Sequence, residues 1–321
     1  MGHIQNLPVE ILVYVYESLD DIDDVVHLAR SCKYLNYVFN PLHTRLRIFS
    51  TIIQHAPQHA HDLELCDRIR FYGDFSEIFY SKDAVHEDTE GRKQFFADNL
   101  DLGKSSRELP AETVWAVVCR WHAMRLLFNL YCDSSVQRSY STSIYPYTGH
   151  RAVWEDRQAM GREEALLPPS RSCSLDFYAL DAEQKQRSYQ RFYKALTAHW
   201  VAFEALWLAR VQDYGTAEEW DKAYDLVGSL WTDNPARPLK EKVDIVEVVD
   251  FVWGFLGRKP FHVSSVPSWI AGENEDLFWD KNDTEASNWL HFIREISELL
   301  RPPNIIELLL WMWAPHSHWQ I

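Results

Sequence analysis

The sequence predicts an all-α protein: a small three-helix module at the N-terminus, then a larger, irregular helical body. Three observations carry this. Apolar residues recur at three- and four-residue steps in segment after segment. Strand-like alternation is almost absent. Glycine is scarce and tryptophan abundant, 11 and 14 residues in 321. Few glycines mean few turns with positive φ, and many tryptophans suit thick helix–helix packing or an aromatic pocket.

The elements follow in order. Residues 7–41 read as three short helices. Leu7, Ile11, Leu12, Val15 and Leu19 keep helical spacing, as do Val25, Leu28, Ala29 and Cys32. Pro8 suits a first helical turn, and Pro41 marks the next boundary. Residues 42–80 read as helix with interruptions, and 81–110 as loops around one short helix. In "PAETVWAVVCRWHAMRLLFNLYC", residues 110–132, Val114, Val118, Trp121, Leu126 and Leu130 give a helix its apolar face. Residues 133–175 are polar and rich in Pro, Ser and Tyr, the pattern of a long loop or linker. Beyond them, Tyr189, Tyr193, Leu196, Trp200, Phe203 and Trp207 form the apolar seam of a long helix. Further helices are expected at 216–232, 239–257, 284–300 and 303–313, the last two separated by Pro302 and Pro303. The expected division is residues 1–45 and 46–321.

Composition narrows the function. Hydrophobic residues make up 46% of the chain and mean hydropathy is −0.33, a globular balance. No run approaches the roughly 20 apolar residues that span a bilayer, and the N-terminal residues lack the basic-then-apolar pattern of a secretory signal. The five cysteines form no C-x-x-C pair, which fits reduced thiols in the cytoplasm or nucleus. A net charge of −15 disfavours a nucleic-acid partner. Arg187, Arg191 and Lys194 read as the solvated side of their helix.

Several patterns resemble chemistry without completing it. Asp20-Asp21-Ile22-Asp23-Asp24 satisfies DDxxD, which in some enzymes holds magnesium against a diphosphate. A second metal-binding helix is then needed, and "NDTEASNWL" at 282–290 supplies it poorly. Asp20 or Asp21 as helix cap, with Asp23 and Asp24 in the first turn, fits better. "HAPQHAH" spaces His55 and His59 four apart, but Ala56 stands where a metalloprotease needs Glu, and Pro57 breaks the helix. That stretch reads as a solvated turn. Cys119 and His122 are three apart on a helix without a visible third group, so Cys119 reads as core. No nucleophile-elbow, P-loop or dinucleotide motif is present. No catalytic residue, metal site or cofactor is expected from these patterns.

"LPVEILVYVYESLDDIDDVVHLARSCKYLNYVFNP", residues 7–41, resembles an F-box. Leu7, Pro8, Glu10, Ile11, Leu12, Val15 and Leu19 match the family's L-P-x-E-I-L opening and first-helix close. Asp24-Val25 stands for the usual Asp-Leu, Leu28 for its partner, and Ser31-Cys32-Lys33 for the segment before the third helix. Leu35 replaces a common Trp, and the first interhelical loop has one extra residue, as in the divergent F-boxes of filamentous fungi. The resemblance implies docking onto the Skp adaptor of an SCF-type ubiquitin ligase through Leu7, Pro8, Ile11, Leu12, Val15, Leu19, Val25 and Leu28. The helical body would then recruit an unknown protein target, without an active site of its own. Physics points the same way: about 35 residues bury too little apolar area to stand alone. The alternative is a fungal biosynthetic enzyme of transferase or cyclase type. In that case the first helices are structural and the aromatic-rich body forms a pocket.

Overall fold

The computed structural model describes residues 7–80, 91, 94–95, 109–141, 180–212, 214–230, 234, 237–261 and 300–313. Among them every regular element is helical. The first is α1 (Val9–Glu17), followed by α2 (Ile22–Ser31), α3 (Lys33–Phe39), α4 (Leu42–His55) and α5 (Asp62–Tyr80), with a 3-10 turn at Pro57–His59. Then come α6 (Ala111–Cys132), α7 (Ser134–Ser141), α8 (Ala182–Val211), α9 (Ala217–Leu230) and α10 (Leu239–Val252). A second 3-10 segment, Leu256–Phe261, precedes α11 (Pro302–Trp313). The helix expected at 284–300 lies outside the described residues, apart from residue 300. So does most of 81–110, although Gly91, Gln94 and Phe95 are helical. Within the expected linker, 134–141 is helix and 142–175 lies outside the described residues.

Local chemistry places the helix ends. Pro8 precedes α1, and its carbonyl accepts from the backbone N–H of Ile11 and Leu12. Ala56, just before Pro57, is extended at ψ 130°, and α4 stops there. The proline ring disfavours helical geometry in the residue before it. Asp181 and Gln184 open α8 with a reciprocal box: the Gln184 N–H donates to the Asp181 carboxylate at 2.7 Å, and the Asp181 N–H donates back to the Gln184 side chain at 3.1 Å. At α7, the Asp133 carboxylate accepts from the N–H groups of Ser135 and Val136, which explains a helix where composition reads as loop.

The chain divides into two compact units: Met1–His122 with Thr197–Pro235, and Ala123–Leu196 with Ala236–Ile321. Residue 45 lies within the span of α4, and the first three helices fall in the first unit. There α1 packs on α3 and α4, and α2 on α3. Leu12, Tyr16, Ile22, Val25, Leu35 and Val38 close that core. The aromatic side chains of Phe39, Phe49 and Trp115 continue it from α3 through α4 to α6, with ring centroids 5.7 and 5.9 Å apart. Further on, Leu65 of α5 packs with Trp200, Val201 and Phe203 of α8. In the second unit the rings of Phe128, Tyr131, Tyr189, Phe192 and Phe251 enclose one another. The expected seam of α8 is interior from Tyr189 to Phe203, with Trp207 half-buried. On α6, Val114, Val118 and Trp121 are buried as expected, whereas Leu126 is half-exposed.

Candidate functional site

The eight residues expected to meet an adaptor separate by depth. Leu7, Pro8 and Ile11 are exposed, and Val15, Leu19 and Leu28 are half-buried. Leu12 and Val25 are fully enclosed and belong to the module's own core. The reason is geometric. On α1 the inward direction is set by Leu12 and Tyr16, four apart, and Tyr16 donates its hydroxyl to the Leu35 carbonyl at 3.1 Å. Ile11 and Tyr14 project on the other side, 44% and 62% exposed. Val9, at the helix start, is also exposed. Tyr14 and Val9 are additions that the family pattern did not mark. A wheel centred on Leu12 and Tyr16 would have placed Tyr14 outside. The result is a helix apolar on its solvent side as well as its core side.

The acidic turn works as a cap. Asp21, extended at φ −137° and ψ 135°, accepts from the Asp23 N–H at 2.7 Å and starts α2. Asp23 accepts from the Trp121 indole at 3.1 Å, which ties α2 to α6. The Asp24 carboxyl titrates above its ordinary range, because of partial burial and then the neighbouring charge of Asp21. Among the described residues, no group of three or more His, Cys, Asp or Glu side chains is placed to hold a metal ion.

The histidine-rich stretch corrects the sequence reading. His59 is buried, not solvated, and its Nδ1 lies 2.7 Å from Asp62. Asp62 also accepts from Arg120 at 2.6 Å. Arg120 reaches the Cys66 sulfur at 3.3 Å and stacks over the Trp200 ring at 5.4 Å. Burial pushes the Cys66 thiol up, against the pull of Arg120. Trp200 in turn donates to buried Glu204 at 2.7 Å. This polar seam joins α5, α6 and α8 inside the first unit. His55 stays exposed, with its Nδ1 2.7 Å from the Thr51 carbonyl.

Two further expectations are revised. Cys119 is exposed, not core, and His122 on the same helix turns toward Asp23 at 3.6 Å. Arg191 and Lys194 face acids of α10, not water: Arg191 forks onto Asp244 at 2.6 and 3.0 Å, and Lys194 meets Glu241 at 2.5 Å. Arg187 pairs with Glu183 on the surface. The acids of α10 at 241, 244, 247 and 250 were the available signal, since bases spaced along one helix face match acids spaced along another.

No family model matches the chain, and comparison with curated proteins and with solved structures finds no match. Among the described residues no helix is long and apolar enough to cross a membrane.

Proposed function

We propose that this protein is an F-box-like substrate receptor. Its first helix and the residues leading into it dock on a Skp-type adaptor, and the helical body recruits a protein target. One observation supports this above the others: α1 leaves Val9, Ile11 and Tyr14 in water, with Leu7 exposed just before it, although its inner face is already closed by Leu12 and Tyr16. A helix apolar around much of its circumference suits an enclosed setting, and an exposed apolar strip marks a contact surface. The Leu-Pro-x-Glu-Ile sequence supplies that strip at the positions where F-boxes carry their opening motif. Leu12 and Val25 then act from within, holding the strip in shape.

The test mixes purified full-length protein with a purified Skp-type adaptor and follows complex formation by size-exclusion chromatography and calorimetry. A stoichiometric complex is expected, lost on Ile11→Asp or Leu7→Asp while the thermal transition stays in place. A wild-type chain that fails to bind, or an Ile11→Asp variant that binds as wild type, rules the reading out.

A further inference from the structure

The corner between α2 and α3 carries an open cleft of about 480 Å³ lined by Ala29, Arg30, Cys32, Lys33, Asn36 and Tyr37. Its cations are unlike the others nearby. Within residues 7–80, Arg47 pairs with Glu17, Arg68 with Glu64 and Arg70 with Asp67, and Arg45 lies 5.7 Å over the Trp115 ring. Arg30 and Lys33 have no acidic or aromatic partner among the described residues. In a chain of net charge −15, two unengaged cations in one cleft need a reason. Helix electrostatics supplies none for Lys33, the first residue of α3, where the helix dipole disfavours a cation. The Asn36 amide and the Tyr37 hydroxyl add two more donors without a partner among the described residues, and Tyr37 is 73% exposed.

The start of α3, which carries Lys33 of the cleft, also touches the beginning of the apolar strip. Tyr34, beside Lys33 on α3, donates its hydroxyl to the Leu7 carbonyl at 3.4 Å. A surface that covers Leu7 therefore comes beside the start of α3. We infer that the cleft is the polar end of the docking surface, and that it receives an Asp or Glu side chain of the adaptor seated on α1. This inference rests on the adaptor-binding reading. The guanidinium of Arg30 and the ammonium of Lys33 supply charge-assisted hydrogen bonds to a carboxylate. At the rim of an apolar contact, such a pair acts chiefly on association rate and salt dependence.

The experiment measures affinity of the full-length protein for a purified Skp-type adaptor at low and at high salt. Wild-type binding should weaken as salt rises. The Arg30→Gln, Lys33→Gln double variant should bind about tenfold more weakly at low salt and lose most of the salt dependence. The Arg30→Glu, Lys33→Glu variant should bind more weakly still. Both residues are on the surface, so an unchanged thermal transition is the folding control. If the Gln variant binds with wild-type affinity and salt slope while Ile11→Asp abolishes binding, the inference is wrong and the adaptor reading stands. If the wild-type chain forms no complex at all, both fall together.

Discussion

Helices α1 and α10 look alike as strings, VEILVYVYE and LKEKVDIVEVVDFV, each apolar around much of its circumference with acids interspersed. Their surroundings differ. Every residue of α10 from Val243 to Val252 is buried, including Asp244, Glu247 and Asp250. The chain provides for those acids within the same unit: Arg191 forks onto Asp244, and the Tyr131 hydroxyl donates to Glu247. By contrast α1 is closed on one side by α3 and α4 and left open on the other. An apolar circumference thus states that a helix must be enclosed. It does not state whether the enclosing atoms belong to the same chain.

Introducing one charge into each helix tests that contrast most directly and gives the largest expected effect. Val248→Asp places a carboxylate on α10 where the native side chain has no exposed surface. It should cost about 4 kcal/mol or more, because the charge is buried without a partner. Ile11→Asp should alter stability by no more than about 0.5 kcal/mol, while removing adaptor capture. Urea denaturation midpoints of both variants check this. Comparable losses in the two would mean that α1 is as enclosed as α10, and the contrast would be broken.

Much of this architecture was legible in the sequence. Helix α6 and the α8 seam follow from apolar spacing, and Pro57 and Pro302 set boundaries that local sterics alone decide. What was not legible depended on contacts distant in sequence. His59 looks like part of a polar turn until Asp62 and Arg120, 58 residues apart, meet beside it. Arg191 and Lys194 look solvated until α10 brings its acids opposite. Cys119 looks like core because its neighbours Val117 and Val118 are, yet it falls on the outer side of α6. On α1 the motif's apolar positions mix inner and outer residues: Leu12 is enclosed, whereas Leu7 and Ile11 are exposed. Family patterns record both the residues that shape a surface and those that form it.

A smaller effect sharpens the view of the acidic turn. Asp21 starts α2 by accepting from the Asp23 N–H and is itself buried. Asp21→Ala should destabilise the protein by about 1 kcal/mol through loss of the cap. Asp21→Asn keeps an acceptor oxygen and should recover most of it. Thermal melts of the two variants check the difference. Addition of magnesium should shift neither melt, because the carboxylate works on a backbone N–H. A magnesium-dependent stabilisation of wild type that Asp21→Ala removes would return the DDxxD reading to consideration.

The last effect is absent at neutral pH and reports on the inner side of α1. The Tyr16 phenol, enclosed and donating to the Leu35 carbonyl, has its ionisation pushed up to about 12, by burial first and then by the nearby Cys32 thiol group when charged. A free phenol ionises near about 10. Below that pH both folded and unfolded chains keep the proton, and stability gains or loses nothing from this group. Between about 10 and 12 the unfolded chain releases the proton while the folded chain holds it, so stability falls as pH rises through that window. Tyr16→Phe lowers stability by about 1 kcal/mol at neutral pH, through the donor lost from the Leu35 carbonyl, but it should lack this part of the alkaline decline, so the gap narrows as pH rises. The measurement is the urea midpoint of both proteins from neutral to alkaline pH. A steeper fall in the wild type is expected. Parallel curves would mean that the phenol is not enclosed, and α1 would no longer have the closed inner face that makes its open outer face informative.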